Sequence, residues 1–467
     1  MKIGRNKRDA TSRSVDEKEV AEFELRQRLA IERRRAVLSA LAFCGVSTGE
    51  AAELIAKIGE NETSQRKELK EVADVEAAID WFREDWNFAA DSFALPPTAV
   101  KAIDASLEAL AARQNSDGSW GSDAELFGRD PGVAGLCGFA FLAAGSAPGR
   151  GRFGDELEKT VSYVLSQSFD LEEAKGAALD ANLLNYLKEQ ELTESDVDGV
   201  IANFAEKGRK PMYGHGFATL FLAAVLGTGE RPEIRERTRA AVDLIVRAQN
   251  ADGGWRYEPK RVPVADLSVT TCQLSALRAA KDAGIFVPNA TIEKAMAYVK
   301  RCQNADGGFR YMTLGGPSGI ARTAAAILAL QAGGADDSEA IATAFSYLEK
   351  AAPLASSVAV NRLKEENSAR LGKGANVLND DVPRLPTTRI EYYFYGEFYA
   401  ALAYWRSARD AASKERWARW ARRAYPNLLS RRGDDGLWRS NVSTDAETAF
   451  VLCALLTPFE RAPFFLR

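Results

Sequence analysis

The chain has 467 residues, of which 46% are hydrophobic and 27% charged, a composition typical of soluble globular proteins. A formal net charge of −4 gives no reason to expect nucleic acid as a partner. The single histidine excludes a multi-histidine metal site, and the five scattered cysteines argue against a disulfide framework or a cysteine zinc site. No apolar run reaches transmembrane length. We expect a cytoplasmic protein without a metal or other cofactor.

The first 96 residues divide into a tail and a helical extension. Residues 1–14 are basic and polar, so we predict that they are disordered. Residues 15–96 carry apolar positions at helical spacing and end at the paired prolines of "ALPPTAV". Within them "RRRAVLSALAFCGVS" (33–47) resembles a signal peptide only faintly, because Phe43 is bulky where cleavage before Cys44 would need a small residue. We interpret this stretch as a helix.

From residue 97 onward the chain repeats a pair of helices. The first helix of each pair carries Lys, Arg and Glu on one face, and the second is rich in Ala, Gly and Leu, as expected for outer and inner helices. The second helices are predicted at 132–145, 215–227, 266–284, 319–334, 390–406 and 445–458, with insertions at 169–210 and 353–389. We therefore predict an all-α fold. Residues 97–467 would form an α6/α6 toroid with parallel inner helices, and the N-terminal helical extension would precede it.

A ten-residue phrase joins the two helices of a pair and is written twice almost unchanged. It reads "AQNADGGWRY" at 248–257 and "CQNADGGFRY" at 302–311. Glycine permits a positive φ at such a turn, and Gln, Asn and Asp side chains can satisfy free backbone groups at helix ends. We expect the aromatic residue to pack over the turn and tie neighbouring repeats together. The phrase is thus interpreted as structural and not as a duplicated active site.

These phrases resemble the QW motif of the prenyltransferase and squalene-cyclase repeat superfamily, in which a Gln precedes Gly-x-Trp by a few residues. The matching positions are Gln114 to Trp120, Gln249 to Trp255, Gln303 to Phe309 and, more weakly, Arg432 to Trp438. The resemblance covers about residues 97–467 and looks greatest to bacterial members that carry a single toroid. It implies the toroid fold, whereas activity must be judged from the site itself.

In such a toroid the inner helices all begin at the same end, so their first residues converge on one mouth of a central cavity. These first residues are polar or aromatic: Asp130, His215, Asp266, Arg322, Glu391 with Tyr392 and Tyr393, and Asp445. Acidic residues are also ordinary N-caps of helices. Both interpretations of this set of residues stay open.

Asp266 is the strongest candidate for chemistry. The resemblance extends to class II terpene cyclases, which place Asp-x-Asp-Asp shortly after a Gly-Gly-Trp turn and protonate an alkene with the middle Asp. Here residues 264–267 read Val-Ala-Asp-Leu, so only the middle Asp is kept. The resemblance implies that Asp266 is the general acid, and we expect His215, at the start of the adjacent inner helix, to be its hydrogen-bonded partner. Alternatively Asp266 is an N-cap and His215 packs in a Gly-His-Gly turn.

Aromatic residues are expected around the same mouth. Aromatic π faces can stabilise a carbocation or hold a greasy chain, although buried aromatic residues commonly serve as core. The substrate-binding candidates are Tyr213, Trp255, Tyr257, Arg322, Glu391, Tyr392, Tyr393, Tyr395 and Asp445, and Tyr311 lies at an equivalent turn.

Three functions remain open from the sequence. The first is a terpene-cyclase-like enzyme or an isoprenoid-binding relative, with a hydrophobic small molecule or lipid as partner. The second is a non-catalytic toroid that binds a lipid, a peptide, a partner protein or a second copy of itself. The third is a polysaccharide-active toroid in which Asp266 pairs with Glu391 or Asp445. The Asp, Cys and His zinc set of protein prenyltransferases has no match, because no Asp-x-Cys occurs.

Overall fold

The computed structural model describes residues 88–122, 127–175, 178–205, 210–229, 231–336, 338–351, 392–429, 431–439 and 443–462. The predicted tail 1–14, most of the extension, the insertion 353–389 and Glu391 lie outside these ranges. Within them the chain forms fourteen α-helices and isolated β-bridges, without a β-strand. The prediction of an all-α fold is confirmed.

The chain divides into two compact units. One comprises Met1–Asn87, Ala94–Val100 and Pro426–Asp434. The described part of this unit is short and includes the start of the helix that begins at Pro97 and the end of the helix that ends at Leu429. The other comprises Phe88–Phe93, Lys101–Tyr425 and Asp435–Arg467 and contains every described candidate residue.

Two classes of helix alternate along the chain. Six are buried over most or all of their length: α2 (Pro131–Ala143), α6 (Pro211–Leu226), α8 (Leu267–Asp282), α10 (Ile320–Ala332), α12 (Tyr393–Ser407) and α14 (Thr444–Leu456). The others are α1 (Pro97–Ala112), α3 (Gly154–Ser166), α7 (Pro232–Ala248), α9 (Asn289–Arg301), α11 (Glu339–Ala351) and α13 (Ala411–Leu429), with the short α4 (Leu171–Ala174) and α5 (Ala181–Gln190) in the insertion.

The six buried helices pack on one another in chain order. Helix α2 contacts α6, which contacts α8, and contacts continue through α10 and α12 to α14, which also packs on α2. Helix α3 lies against α2, α7 against α6 and α8, α9 against α8 and α10, and α11 against α10. Every residue of α2 is buried, whereas α7 buries one stripe that includes Ile234, Ala241 and Ile245. This arrangement is consistent with an α/α toroid.

The repeated phrase folds into the same turn in the repeats that carry it. Its Asn donates its backbone N–H to the carbonyl four residues on, at 2.8–2.9 Å, in the turns that begin at Asn115, Asn250 and Asn304. Its Asp accepts the backbone N–H two residues further along, as Asp252 does from Gly254 at 3.2 Å. Its first glycine has a positive φ, which is +91° at Gly118, +96° at Gly253, +85° at Gly307 and +88° at Gly436.

The phrase also joins one repeat to the next. The Gln249 side-chain amide donates to the Gly253 carbonyl at 2.8 Å and to the Thr291 carbonyl of α9, also at 2.8 Å. Gln303 makes the equivalent pair of bonds to Gly307 and to Ala340 of α11. The Trp255 indole is fully buried and donates to the Ile245 carbonyl in the last turn of α7, at 2.7 Å. These bonds support the structural interpretation of the phrase.

Two glycine substitutions can distinguish the cost of a positive φ from the cost of a steric clash with the next helix. A Cβ on Gly253 would lie 2.2 Å from the Lys294 carbonyl oxygen of α9, whereas Gly316, with φ of +115°, has nothing within 4 Å. We expect Gly316→Ala to lower the free energy of unfolding by about 1–2 kcal/mol, the cost of the left-handed backbone alone. Gly253→Ala should cost at least about 3 kcal/mol, because a steric clash adds to that strain. Equal losses in urea unfolding would contradict this account of the turn.

Candidate functional site

Asp266 lies where the repeated turn meets the start of a buried helix. It is the N-cap of α8 and is fully buried. Its Oδ1 accepts the backbone N–H groups of Ser268 at 2.7 Å and Val269 at 3.0 Å. Its own backbone N–H donates to the Trp255 carbonyl at 2.8 Å. The turn formed by residues 248–257 therefore positions Asp266 directly.

The second carboxylate oxygen of Asp266 is held by a pair of tyrosines. Oδ2 accepts the Tyr257 hydroxyl at 2.9 Å, and the Tyr257 hydroxyl is also hydrogen-bonded to that of Tyr311. Burial, together with the charge of Asp266, raises the pKa of Tyr257 to about 12 and raises the pKa of Tyr311 as well. Both hydroxyls therefore keep their protons at neutral pH and can donate. The two tyrosines occupy the same position in successive phrases.

Two more tyrosines approach the acid from other buried helices. Tyr213 in the first turn of α6 stacks on Tyr257, with 6.4 Å between ring centroids. Tyr395 in the first turn of α12 packs on Tyr399 at 4.6 Å. Burial raises the pKa of Tyr213 and Tyr395, and the nearby charge of Asp266 adds to both shifts. Asp266, Tyr213, Tyr257 and Tyr395 are thus brought together as predicted candidates, with Tyr311 beside them.

His215 is not the partner of Asp266, so that prediction was wrong. It is fully buried, and its Nδ1 accepts the backbone N–H of Ile201 at 3.1 Å while its Nε2 faces the Ala241 carbonyl at 3.2 Å. Burial lowers the pKa of His215 to about 4, so the ring is neutral at pH 7. Its single proton is on Nε2, which donates a hydrogen bond to the Ala241 carbonyl. The histidine joins the insertion 169–210 to helix α7.

Two other predicted site residues have structural partners instead. Trp255 is enclosed in the turn with its indole N–H bonded to Ile245, so its assignment to the cavity lining was wrong. Asp445, in the first turn of α14, is fully buried and receives both Nε and Nη2 of Arg113, with the Nη2 contact at 3.1 Å. A carboxylate held by two guanidinium nitrogens is not available as a free catalytic acid.

The remaining candidates lie at the starts of α10 and α12. Arg322 donates to the Pro317 carbonyl at 3.1 Å and so ties the preceding loop to α10. Tyr392 is 50% exposed, and Tyr393 packs edge-on against Phe394, with ring centroids 5.3 Å apart. Glu391 lies outside the described residues. None of these contacts adds a second acid beside Asp266.

An aromatic cluster, which the sequence analysis did not predict as a unit, lies between the buried helices. Phe217 of α6 contacts Phe450 of α14 at 5.8 Å, and Phe450 contacts Phe398 at 5.1 Å and Tyr395 at 5.8 Å, both on α12. Helices α6 and α14 each pack on α2 and are not successive in the order above. Aromatic rings from α6, α12 and α14 therefore meet in one cluster. In the sequence, the signal for this cluster would have been a phenylalanine near the middle of each of the helices α6, α12 and α14.

A cavity of about 520 Å³ lies beside Tyr257. It is bounded by Gln190 at the end of α5 and by residues of the loop 256–264. The Tyr186 hydroxyl of α5 donates to Glu258 at 2.5 Å, and Lys260 donates to the Gln190 carbonyl. Hydrogen bonds thus connect the insertion to the loop that carries Tyr257.

Across the described ranges, no group of three or more His, Cys, Asp or Glu side chains has the placement to hold a metal ion. No helix in the part of the chain that the structure describes has the length and apolarity needed to cross a membrane.

Comparison with known proteins adds two matches. Residues 219–356, which include Asp266 and the third and fourth repeats, match the squalene-hopene cyclase C-terminal domain. The second match is to the drimenyl diphosphate synthase of Streptantibioticus cattleyicolor, which is 36% identical over 104 residues. That match spans 22% of this chain and 18% of the relative. Both matches support the prenyltransferase/squalene cyclase superfamily.

The buried histidine predicts a specific dependence of stability on pH. Its pKa of about 4 in the folded state lies below its ordinary value of 6.5, so the unfolded chain takes up a proton first as the pH falls. The contribution of His215 is complete above about pH 6.5 and should be about 2 kcal/mol smaller at pH 5. His215→Asn should lose this component of the pH dependence in urea unfolding. Since His215 is the only histidine, NMR can follow it directly, and a midpoint near 6.5 in the folded protein would contradict the prediction.

Proposed function

We propose that the protein is a terpene-cyclase-like enzyme in which Asp266 starts the reaction by protonating an alkene of an isoprenoid. The observation that carries this proposal is the environment of Asp266. It is a fully buried carboxyl group at a helix start, bonded to three donors and close to tyrosines, and it lies in the region that matches the cyclase domain.

The hydrogen bonds of Asp266 are compatible with a role as proton donor. Ser268, Val269 and Tyr257 all donate, so they stabilise the carboxylate that remains after the proton has left. The N-terminus of α8 adds a favourable dipole. In the proposed step the Asp266 carboxyl proton moves to one alkene carbon, the π electrons form the new C–H bond, and the neighbouring carbon becomes a cation. A second alkene of the chain can then attack that cation and close a ring, which moves the positive charge to another carbon. Loss of a proton from the carbon next to that charge, to water, gives the neutral cyclic product.

The tyrosine pair offers a route for returning the proton. Tyr257 passes its proton to Asp266 and takes one from Tyr311, and Tyr311 takes up the proton that the cyclised cation released to water. Tyr311 is only partly buried and can exchange protons with water, whereas Asp266 is fully buried. The π faces of Tyr213, Tyr395 and Phe450 supply the stabilisation that a carbocation needs away from water.

Substitution of the acid tests the proposal. Asparagine is as good an N-cap as aspartate, so Asp266→Asn should change the free energy of unfolding by no more than about 1 kcal/mol. It should lower product formation at least about 100-fold, because the proton donor is gone. The assay would incubate the full chain with squalene, farnesyl diphosphate or geranylgeranyl diphosphate and identify products by mass spectrometry.

The matched control is Asp130→Asn. Asp130 is the N-cap of α2 and accepts the Gly132 backbone N–H at 2.7 Å, so it has the same capping role at another buried helix. We expect this variant to keep its activity. Product formation by Asp266→Asn at the wild-type rate would overturn the assignment of Asp266 as proton donor.

The tyrosine route has its own test. Tyr257→Phe keeps the ring but removes the donor to Asp266 and the link to Tyr311, so kcat should fall about 10- to 100-fold with little change in KM. The control is Tyr425→Phe, which removes a buried hydroxyl that donates to the Ala454 carbonyl at 3.0 Å away from the site. An unchanged kcat in Tyr257→Phe would show that Asp266 regains its proton by another path.

One observation favours a second candidate, a toroid that binds a ligand without chemistry. Phe217, Phe450 and Phe398 pack their rings against one another between three buried helices, which leaves less room for a ligand there. If those rings do not part, ligands are confined to the outside of the cluster. Absence of product from all three isoprenoids in the wild-type protein, combined with saturable binding of one of them, would favour this candidate.

A further inference from the structure

We propose that a small carboxylate binds to the guanidinium of Arg406, where helices α8, α10 and α12 end. This inference goes beyond the proposed function and does not depend on it. Arg278, near the end of α8, lies twelve residues after Asp266, which is about 18 Å along the helix axis at about 1.5 Å per residue. A ligand at the helix ends is therefore separate from the candidate acid.

Arginine side chains donate to backbone carbonyls at the ends of four buried helices. The bonds run from Arg461 to Ala144 after α2, from Arg150 to Thr228 after α6, from Arg235 to Ala283 after α8, and from Arg278 to Ala332 at the end of α10. Such carbonyls have no acceptor role left within their own helix, so a donor from outside satisfies them. An arginine at a helix end therefore has an ordinary structural use in this fold.

Arg406 departs from this pattern. It lies in the last turn of α12 and is only 8% exposed. Among the described residues it forms no hydrogen bond and no ion pair, and its Nε is buried without a partner. A long arginine stem is commonly buried while the charged head reaches water, but here part of the head is buried too. Because an unpaired buried charge is costly, this guanidinium is suited to bind an acceptor from outside the chain.

The acids near Arg406 are paired with other arginines. Asp282 accepts from Arg278 at 2.8 Å, and Asp336 accepts from Arg409 at 3.1 Å. These four groups are the charges that act most on Arg406. Burial, followed by the charges of Arg278 and Arg409, lowers the pKa of Arg406, and the two acids offset this effect only in part. Three arginines and two aspartates leave the group with one positive charge in excess.

A second buried polar atom without a partner lies at the same turn of α12. The Gln331 side-chain amide, on α10, donates to the Ala403 carbonyl at 3.1 Å and to the Ser407 hydroxyl at 2.8 Å. These bonds hold Gln331 against the turn that carries Arg406. The Gln331 Oε1 is buried and accepts no hydrogen bond from the described residues. A ligand with a hydroxyl group beside its carboxylate can donate to this oxygen.

Shape and charge favour a carboxylate over a phosphate. A planar guanidinium pairs with a carboxylate through two parallel hydrogen bonds. One negative charge balances the excess at Arg406, whereas a dianion would add a negative charge beside Asp336. The negative ends of the helix dipoles of α8, α10 and α12 oppose that additional charge as well. We therefore expect a small hydroxy acid such as glycolate to bind more tightly than phosphate or sulfate.

Equilibrium dialysis of the full chain against radiolabelled glycolate, at constant ionic strength, tests the inference. We expect one site per chain with a Kd of about 1 mM or lower, and competition by acetate. Arg406→Gln should weaken glycolate binding at least about tenfold, because it removes both the charge and the paired donors. Asp336→Asn keeps Arg406 and should tighten glycolate binding about two- to fivefold, because it removes a nearby negative charge.

Arg461→Gln is the matched control. Arg461 also lies beyond the end of a buried helix, but it is exposed and bonded to the Ala144 carbonyl at 3.1 Å. This variant should keep the affinity within about twofold of wild type. Absence of saturable glycolate binding, an equal loss in Arg461→Gln, or tighter binding of phosphate than of glycolate would overturn the proposal. If Arg406→Gln does not fold, Asp336→Asn decides, and unchanged or weaker binding in that variant overturns the proposal.

Discussion

The hydrogen bonds of one side-chain amide, that of the glutamine in the repeated phrase, connect the parts of this fold. Gln249 holds its own turn closed through Gly253 and reaches the first turn of the following amphipathic helix through Thr291. Both bonds are buried, where an unsatisfied polar group is costly, so the geometry of successive repeats is closely constrained. The glycine at positive φ is required by the same constraint, because the turn passes directly over a carbonyl of the next helix.

The same turn fixes the position of Asp266 in the candidate site. The Trp255 indole donates to the Ile245 carbonyl and so anchors the turn, and the Trp255 carbonyl accepts the backbone N–H of Asp266. The acid is therefore placed by an element whose first role is structural, and its capping bonds to α8 complete the placement. Rigid positioning of this kind suits a group that must give a proton to a weak base.

The fold was accessible from the sequence because its signals are local and repeated. Helix periodicity, composition and the phrase around Gln249 each predicted the same alternation of helices, and the second-helix starts agree with the structure to within a few residues. The partners of His215 were not accessible. They come from Ile201 in an insertion without a repeat signature and from a backbone carbonyl, and neither leaves a mark in the sequence. The pairing of Asp445 with Arg113 joins residues 332 positions apart, which local patterns cannot reveal.

The equivalence of Tyr257 and Tyr311 has a consequence for the origin of the site. The two residues close the same phrase in adjacent repeats, and adjacent repeats place those positions side by side. Copying one unit of the gene would thus have created a hydroxyl dyad in a single event, without selection for either member.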